Sequence, residues 1–129
     1  MTRYARNASA VFSLKFHLVW FPKYRRPALT DAVADRLKAL LLERADEFPL
    51  TIHSMEVMPD HVHLFLECDP TFSVSEITNR LKGYTSRILR QEFGLLRSRL
   101  STLWSRSYYA GSHVSEATVR RYIESQKGK

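Results

Sequence analysis

The segment that decides the fold is VFSLKFHLVW, residues 11–20, in which apolar and polar side chains alternate. Successive side chains of a β-strand point to opposite faces, so one face here is apolar and the other carries Lys15 and His17. The pattern predicts a half-buried strand with an apolar face made of Phe12, Leu14, Phe16, Leu18 and Trp20. The next segment, FPKYRRP (residues 21–27), contains two prolines and predicts an exposed loop of basic and aromatic residues.

Periodicity and turn signals outward from this strand predict the element order β-α-β-β-α-β-α. After the first strand we expect a helix that is capped by Thr30 and runs to about Glu47. Strands at Leu50–Val57 and His61–Cys68 follow, joined by a turn at Pro59-Asp60. The remaining elements are a helix from a capping box at Ser73 to about Phe93, a strand near Leu103–Ala110, and a last helix over about residues 115–127. This order predicts one α+β domain over residues 1–129. We expect a ferredoxin-like antiparallel sheet, built as a split βαβ pair, with helices on one face and an additional C-terminal helix.

Composition narrows the class of protein. The 20 Lys and Arg residues exceed the 13 Asp and Glu residues, which gives a net charge of +7 and favours a polyanionic partner. A generic basic protein would show the same balance. Cys68 is the only cysteine, which excludes a disulfide framework and a Cys-rich zinc finger. The sequence has neither an apolar run of membrane-spanning length nor a signal-peptide core, so we expect a cytosolic protein without a membrane partner.

The second informative segment is PDHVHLFL, residues 59–66. Strand alternation places His61 and His63 on one face, where two imidazoles are able to bind a metal ion. A half-exposed scaffold strand is the alternative, and by itself it is the commoner outcome. Glu67 falls on the same face and is the best local carboxylate candidate. Two imidazoles with one oxygen ligand leave positions open for phosphate oxygens, which suits metal-assisted phosphoryl transfer.

Tyr122 and Gln126 are four residues apart on the predicted last helix and therefore share a face. A tyrosine nucleophile splits phosphodiester exchange into two reversible steps, and the Gln126 amide oxygen could reach a metal that also faces the tyrosine hydroxyl. The alternative is an aromatic residue of the core or an interface beside an ordinary surface glutamine.

Basic residues supply candidate nucleic-acid contacts. In the proline-bounded loop, Tyr24 lies between cations and is suited to base stacking and phosphate contact. The candidate DNA-binding residues are Lys15, His17, Lys23, Tyr24, Arg25, Arg26, Arg80, Lys82 and Arg87. Solvated helix faces would equally explain those on the long helix.

Taken together, these segments resemble one known family along the whole chain: the single-tyrosine (TnpA-type) transposases of the HUH superfamily, encoded by small single-strand insertion sequences. The segments that carry the resemblance, in order, are HLVWFPKYRR (17–26), MPDHVHL (58–64), LKG (81–83) with Ser86, LWS (103–105) and YIESQ (122–126). Each segment alone is common, but five in this order are not expected by chance.

The resemblance implies roles for individual residues. His61, His63 and Gln126 would bind a divalent cation, Mg²⁺ or Mn²⁺, and Tyr122 would attack DNA to form a 5′-phosphotyrosine. The enzyme would be a homodimer that recognises hairpins on single-stranded DNA and cleaves and rejoins element ends. The tyrosine helix could be exchanged between protomers, with Gly111-Ser112 as the hinge.

Two other functions remain open at this stage. A domesticated relative would nick repeat-associated hairpins without mobilising its own gene. A non-catalytic ferredoxin-like nucleic-acid-binding module would stack bases on exposed strand aromatics. Phe12, Phe16 and Trp20 are expected to be buried instead, and a binding module has no need of the Tyr122 helix.

Overall fold

The computed structural model of the chain describes residues 5–6, 11–12, 14–48, 50–69, 71–99, 102–112 and 116–125. Its elements in chain order are β1 (Ala5–Arg6), β2 (Val11–Phe12), β3 (Leu14–Pro22), α1 (Asp31–Glu47), β4 (Leu50–Met58), β5 (His61–Cys68), α2 (Val74–Glu92), α3 (Gly94–Arg99), β6 (Trp104–Gly111) and α4 (Glu116–Ser125). A 3₁₀ turn at Lys23–Arg25 follows β3. β1 and β2 pair with each other, and the other four strands form the main sheet.

The main sheet has the strand order β4-β5-β3-β6, and each neighbouring pair is antiparallel. Helices α1 and α2 pack against each other and share one core with the sheet. A β-α-β-β-α-β chain with this strand order is a ferredoxin-like fold. The predicted α+β architecture is therefore confirmed.

The main core lies between the sheet and these two helices. The alternating segment of β3 contributes as predicted, since Phe16, Leu18 and Trp20 are buried there. Trp20 meets Trp104 of β6 edge-on, with 5.7 Å between ring centroids. The helices fill the space above with Leu37, Leu40 and Leu41 of α1 and Ile77, Leu81 and Leu89 of α2. Burial of these apolar side chains supplies the main stabilisation of the fold.

Local signals set several element boundaries. The Ser73 hydroxyl accepts a hydrogen bond of 3.0 Å from the Glu76 N–H, which begins α2 as predicted. Thr30 occupies the N-cap position of α1, although its side chain makes no capping bond. The two-residue turn at Pro59 and Asp60 joins β4 to β5.

Two boundaries differ from the sequence prediction. β3 continues through Pro22, where a loop was expected. Its pairing with β6 shifts between Trp20 and Pro22, and a proline is tolerated at such an irregularity because its missing N–H is not needed there. Val11–Phe12 pairs with β1 and not with the main sheet, and helix α3 was not predicted.

Helix α4 packs on the face of the sheet opposite α1 and α2. Val119 is buried there against Val19 and Phe21 of β3, with Tyr109, Tyr122 and Ile123 packed around them. The last helix was predicted as an addition that need not pack in the main core, and α4 lies in this separate cluster. Its predicted ends at residues 115 and 126–127 lie outside the described residues. Among the helices described, none is long and apolar enough to span a lipid bilayer.

Candidate active site

Strand register brings the predicted histidines to the α4 face of the sheet. The two-residue turn pairs Met58 with His61, which places Glu56 opposite His63. On the other side of β5, His63 lies opposite Val19 of β3. Opposed residues of antiparallel strands share a face, so these histidines lie on the side away from the main core.

His61 is held in a defined orientation. It is 8% exposed, and its Nδ1 lies 2.9 Å from Oδ1 of Asp60. With Nδ1–H donating to this carboxylate, the Nε2 lone pair is available as a ligand, the arrangement common for metal-binding histidines. Partial burial raises the pKa of Asp60, but hydrogen bonds from His61 and Arg25 outweigh this effect and lower the pKa below its usual value.

His63 is linked to the histidine that precedes the basic loop. Its Nε2 lies 3.0 Å from Nδ1 of His17, and their rings are 5.2 Å apart. One of the two imidazoles donates this bond and the other accepts it. His17 was predicted to contact DNA, and the structure shows that it also supports His63.

A second carboxylate near His61 is that of Glu56, whose Oε1 lies 4.0 Å from His61 Nε2. Glu67, the carboxylate favoured by sequence, does lie on the histidine face. It is buried and lies 2.6 Å from Nε2 of His53, at the Lys15 end of the sheet. His53 lies at a β4 irregularity between Ile52 and Ser54, which has no sequence signal. Glu56 could have been found by counting back across the two-residue turn.

Tyr122 packs on the same face as His61. Its ring centroid is 4.8 Å from that of Tyr109 and 6.1 Å from that of Phe21. The ring centroid of Phe21 lies 6.3 Å from His61, so one phenyl group contacts both the tyrosine and the histidine. Burial raises the pKa of the Tyr122 hydroxyl, which therefore carries its proton at neutral pH. In this chain the tyrosine helix lies on its own sheet.

Gly111 allows the tyrosine stack to form. A Cβ atom at this position would lie 2.5 Å from the hydroxyl oxygen of Tyr109. Since Tyr109 in turn stacks on Tyr122, a side chain at position 111 would have to displace the Tyr109 ring and would disturb this stack.

Arg25 joins the two halves of the site. Its Nε donates to Oδ2 of Asp60 at 2.8 Å, and its Nη1 donates to the Ile123 carbonyl oxygen of α4 at 2.6 Å. The same guanidinium lies 5.1 Å from the centroid of the Phe21 ring. Arg25 was predicted as a DNA contact, and these bonds were not foreseen from sequence.

The other predicted DNA contacts fall on two sides of the molecule. Lys15 and His17 lie on the histidine face, and Lys23 and Tyr24 line a cleft of about 250 Å³ that includes Arg106. The side chain of Tyr24 is 69% exposed, and Arg26 is exposed as well. The α2 residues Arg80, Lys82 and Arg87 belong to the helix layer, where Lys82 donates to the Ser105 carbonyl and Arg80 pairs with Glu76. Burial lowers the pKa of Lys82.

Two of the three candidate metal ligands, His61 and His63, lie among the described residues. His61 and His63 share the face, and Glu56 is near, whereas Gln126 lies outside the described residues. Within the part of the chain that the structure describes, no three His, Cys, Asp or Glu side chains converge as a metal site. The oriented His61 nevertheless fits a metal ligand, and two imidazoles suit Mn²⁺ better than Mg²⁺.

Comparisons with known proteins decide the family. Residues 10–126 match the family described as "Transposase IS200 like". The chain belongs to the IS200-like transposases. It is 38% identical over 123 residues to the ISDra2 transposase TnpA of Deinococcus radiodurans, covering 92% of this chain and 88% of that protein. It is 31% identical over 118 residues to the transposase for insertion sequence element IS200 of Salmonella typhimurium, which covers 89% of this chain and 78% of that protein.

Solved structures agree with the fold of this transposase. A crystal structure assigned to a transposase of Deinococcus radiodurans R1 superposes with a TM-score of 0.85 at 36% identity, covering 96% of this chain and 98% of that one. A REP-associated tyrosine transposase bound to a REP hairpin superposes with a TM-score of 0.52 at 12% identity, and the superposition covers 92% of this chain and 69% of that one. The latter likeness concerns the fold alone.

Proposed function

We propose that this IS200-like transposase cleaves and rejoins single-stranded DNA at element ends through a covalent bond between Tyr122 and a 5′-phosphate. The observation that carries the proposal is the shared packing of Tyr122 and His61 against Phe21 on one face of the sheet. A nucleophile and an oriented imidazole on one surface can act on the same phosphate group.

The chemical step is a phosphodiester exchange. The Tyr122 oxygen forms a bond to the scissile phosphorus while the bond from phosphorus to the 3′-oxygen breaks. The phenolic proton leaves, and the 3′-oxygen gains a proton to become a free 3′-OH. Attack of a 3′-OH on the phosphotyrosine reverses these changes and rejoins DNA without ATP. Burial raises the pKa of the Tyr122 hydroxyl, so the loss of its proton adds to the barrier of this step.

His61, His63 and Gln126 would hold the divalent cation, Mg²⁺ or Mn²⁺. The bound ion would supply positive charge to the scissile phosphate in the transition state. Asp60 orients the His61 ring, whereas His63 would bind the ion through its other ring nitrogen or after exchanging the bond between its Nε2 and His17.

We further propose a DNA substrate with hairpin ends, bound by a homodimer in which the tyrosine helix is exchanged or retained. A protein of the same fold, the REP-associated tyrosine transposase, was solved with a REP hairpin, so a DNA hairpin is the substrate to test here. Lys15 on the histidine face, and Lys23, Tyr24 and Arg26 of the basic loop, would contact this DNA. Arg80, Lys82 and Arg87 would serve DNA that reaches the helix layer.

The test is a covalent adduct between the protein and a single-stranded oligonucleotide that carries the hairpin of the element's end, incubated with Mn²⁺. Wild-type protein should form the adduct, and Tyr122→Phe should not. Tyr109→Phe retains the stacked ring and should still react. His61→Ala should abolish the adduct, whereas His53→Ala, on the same face but bonded to Glu67, should leave it.

Other outcomes assign the function differently. An adduct that survives Tyr122→Phe and disappears with Tyr109→Phe would move the nucleophile to β6. Hairpin binding without any adduct would favour the non-catalytic binding module. Nicking of hairpins without rejoining would favour the domesticated nuclease.

A further inference from the structure

One side chain bridges the tyrosine helix and the histidine site. Arg25 is separated from Asp60 by 35 residues and from Ile123 by 98 residues, yet its guanidinium bonds both. The Arg25 side chain is only 10% exposed. To contact a phosphate, the N–H donors of Arg25 would need to face solvent. Here Nε and Nη1 already donate to protein groups on opposite sides of the planar guanidinium.

The bond to α4 reaches the segment of the helix that contains the tyrosine. The Ser125 hydroxyl donates to the Tyr122 carbonyl, and Arg25 donates to the next carbonyl, that of Ile123. Arg25 therefore holds α4 by the turn that contains the tyrosine.

The bond to Asp60 continues to the histidine. Asp60 uses Oδ2 for Arg25 and Oδ1 for His61, so both carboxylate oxygens are occupied. The three bonds form a chain from the α4 backbone through Arg25 and Asp60 to the His61 ring. Since a guanidinium is rigid and planar, it fixes the direction of Asp60 relative to the α4 backbone.

The backbone is arranged for this contact at some conformational cost. Tyr24 and Arg25 have φ values of 59° and 50°, in the left-handed region that side chains other than glycine rarely adopt. Two consecutive residues in this region turn the chain sharply after Pro22. Such strain persists only where surrounding contacts hold it, and the contacts present are Asp60, Ile123 and the ring of Phe21.

We propose that Arg25 is a positioning residue that couples the placement of the Tyr122 helix to the orientation of His61 through Asp60. This inference rests on the proposed roles of Tyr122 and His61. Loss of the guanidinium should release α4 and loosen the His61 ring together. Loss of Asp60 should also loosen α4, because Arg25 would lose one of its two anchors.

Amide hydrogen exchange of the full-length, metal-free protein tests the coupling without DNA. Arg25→Gln should raise exchange in residues 116–125 by about tenfold or more, with exchange in α2 unchanged as evidence of an intact core. Asp60→Asn should raise it in the same segment by a smaller factor. The double variant should exchange no faster than Arg25→Gln, because both changes break one chain of bonds. Arg26→Gln, an exposed neighbour, is the matched control.

The activity readout separates positioning from DNA contact. At saturating hairpin oligonucleotide, Arg25→Gln should slow single-turnover adduct formation at least about tenfold, with the Kd for DNA within twofold of wild type. Arg25→Lys keeps the positive charge but lacks the planar guanidinium that donates in two directions, so it should not restore the rate. The coupling would be overturned if either Arg25→Gln or Asp60→Asn left amide exchange in α4 at the wild-type rate. Weaker DNA binding with an unchanged rate would make Arg25 a phosphate contact. An absent wild-type adduct would reject the proposed function, while the exchange results would still decide the bridge.

Discussion

The two faces of the main sheet are packed in different ways. On one face, α1 and α2 enclose a continuous core that includes Trp20, Leu64 and Leu81, all with 0% exposure. On the other face, α4 covers a small cluster in which Val19, Phe21 and Val119 are the buried residues described. Arg25 adds a polar bridge at the edge of that cluster. We expect the helix core to govern folding and the α4 face to govern assembly of the proposed site.

Strand β5 contributes to both faces at adjacent positions. Leu64→Ala removes a fully buried side chain from the helix core and should lower the free energy of unfolding by about 2–5 kcal/mol. His63→Ala, one residue earlier and on the opposite face, should change it by less than about 1 kcal/mol while weakening Mn²⁺ binding. Urea unfolding and Mn²⁺ titration measure the two effects. Equal destabilisation by both substitutions would mean that the two faces do not differ in this way.

Cys68 gives a second test of the helix core. Desolvation by burial raises the pKa of its thiol from 9.0 to about 11, with smaller contributions from Asp69 and Glu67. The folded protein should therefore contain about a hundredfold less thiolate at pH 8 than the unfolded chain, and alkylation should be correspondingly slow. As the pH rises from 9 toward 11, the unfolded state loses this proton first, so the stability that the thiol contributes should fall. Iodoacetamide labelling with and without denaturant measures the protection, and rapid labelling of the native protein would contradict it.

Parts of both faces follow from sequence, for identifiable reasons. Strand alternation predicts the two faces of β3 and β5, and the Ser73 cap predicts the start of α2, because these signals act over a few residues. The continuation of β3 through Pro22 depends on a shift in pairing with a distant strand. The link from Arg25 to Ile123 depends on the final packing of α4, which periodicity does not determine.

The candidate site shows the same limit. The shared face of His61 and His63 is a local property of a strand and was predicted. The bond between His17 and His63 and that between His53 and Glu67 require the register of neighbouring strands. Register is set by pairing across the sheet, so sequence spacing within one strand cannot supply it.

Substitution within the α4 cluster should affect the helix locally. Val119→Ala removes two methyl groups from a side chain that is 1% exposed, which should weaken the docking of α4 by about 1–2 kcal/mol. The higher helix propensity of alanine offsets a small part of this loss. We expect faster amide exchange in residues 116–125 with little change in the urea midpoint. Arg120→Ala, at the exposed neighbouring position, is the control. A matching fall in global stability would show that α4 belongs to the main folding unit.

The smallest expected effect lies on the helix side and has the opposite sign. Gly83 is exposed in the middle of α2, and a Cβ added there would meet no atom within 4 Å. Gly83→Ala should therefore stabilise the protein by about 0.5–1 kcal/mol, because alanine loses less backbone entropy on helix formation. Thermal unfolding should show a rise of a few degrees in Tm. Adduct formation should be unchanged if the helix layer acts only as a scaffold. A stabilised variant that binds hairpin DNA less tightly would instead show that DNA approaches the α2 backbone at this glycine, beside Arg80 and Arg87, and that the helix layer contributes to function as well as to folding.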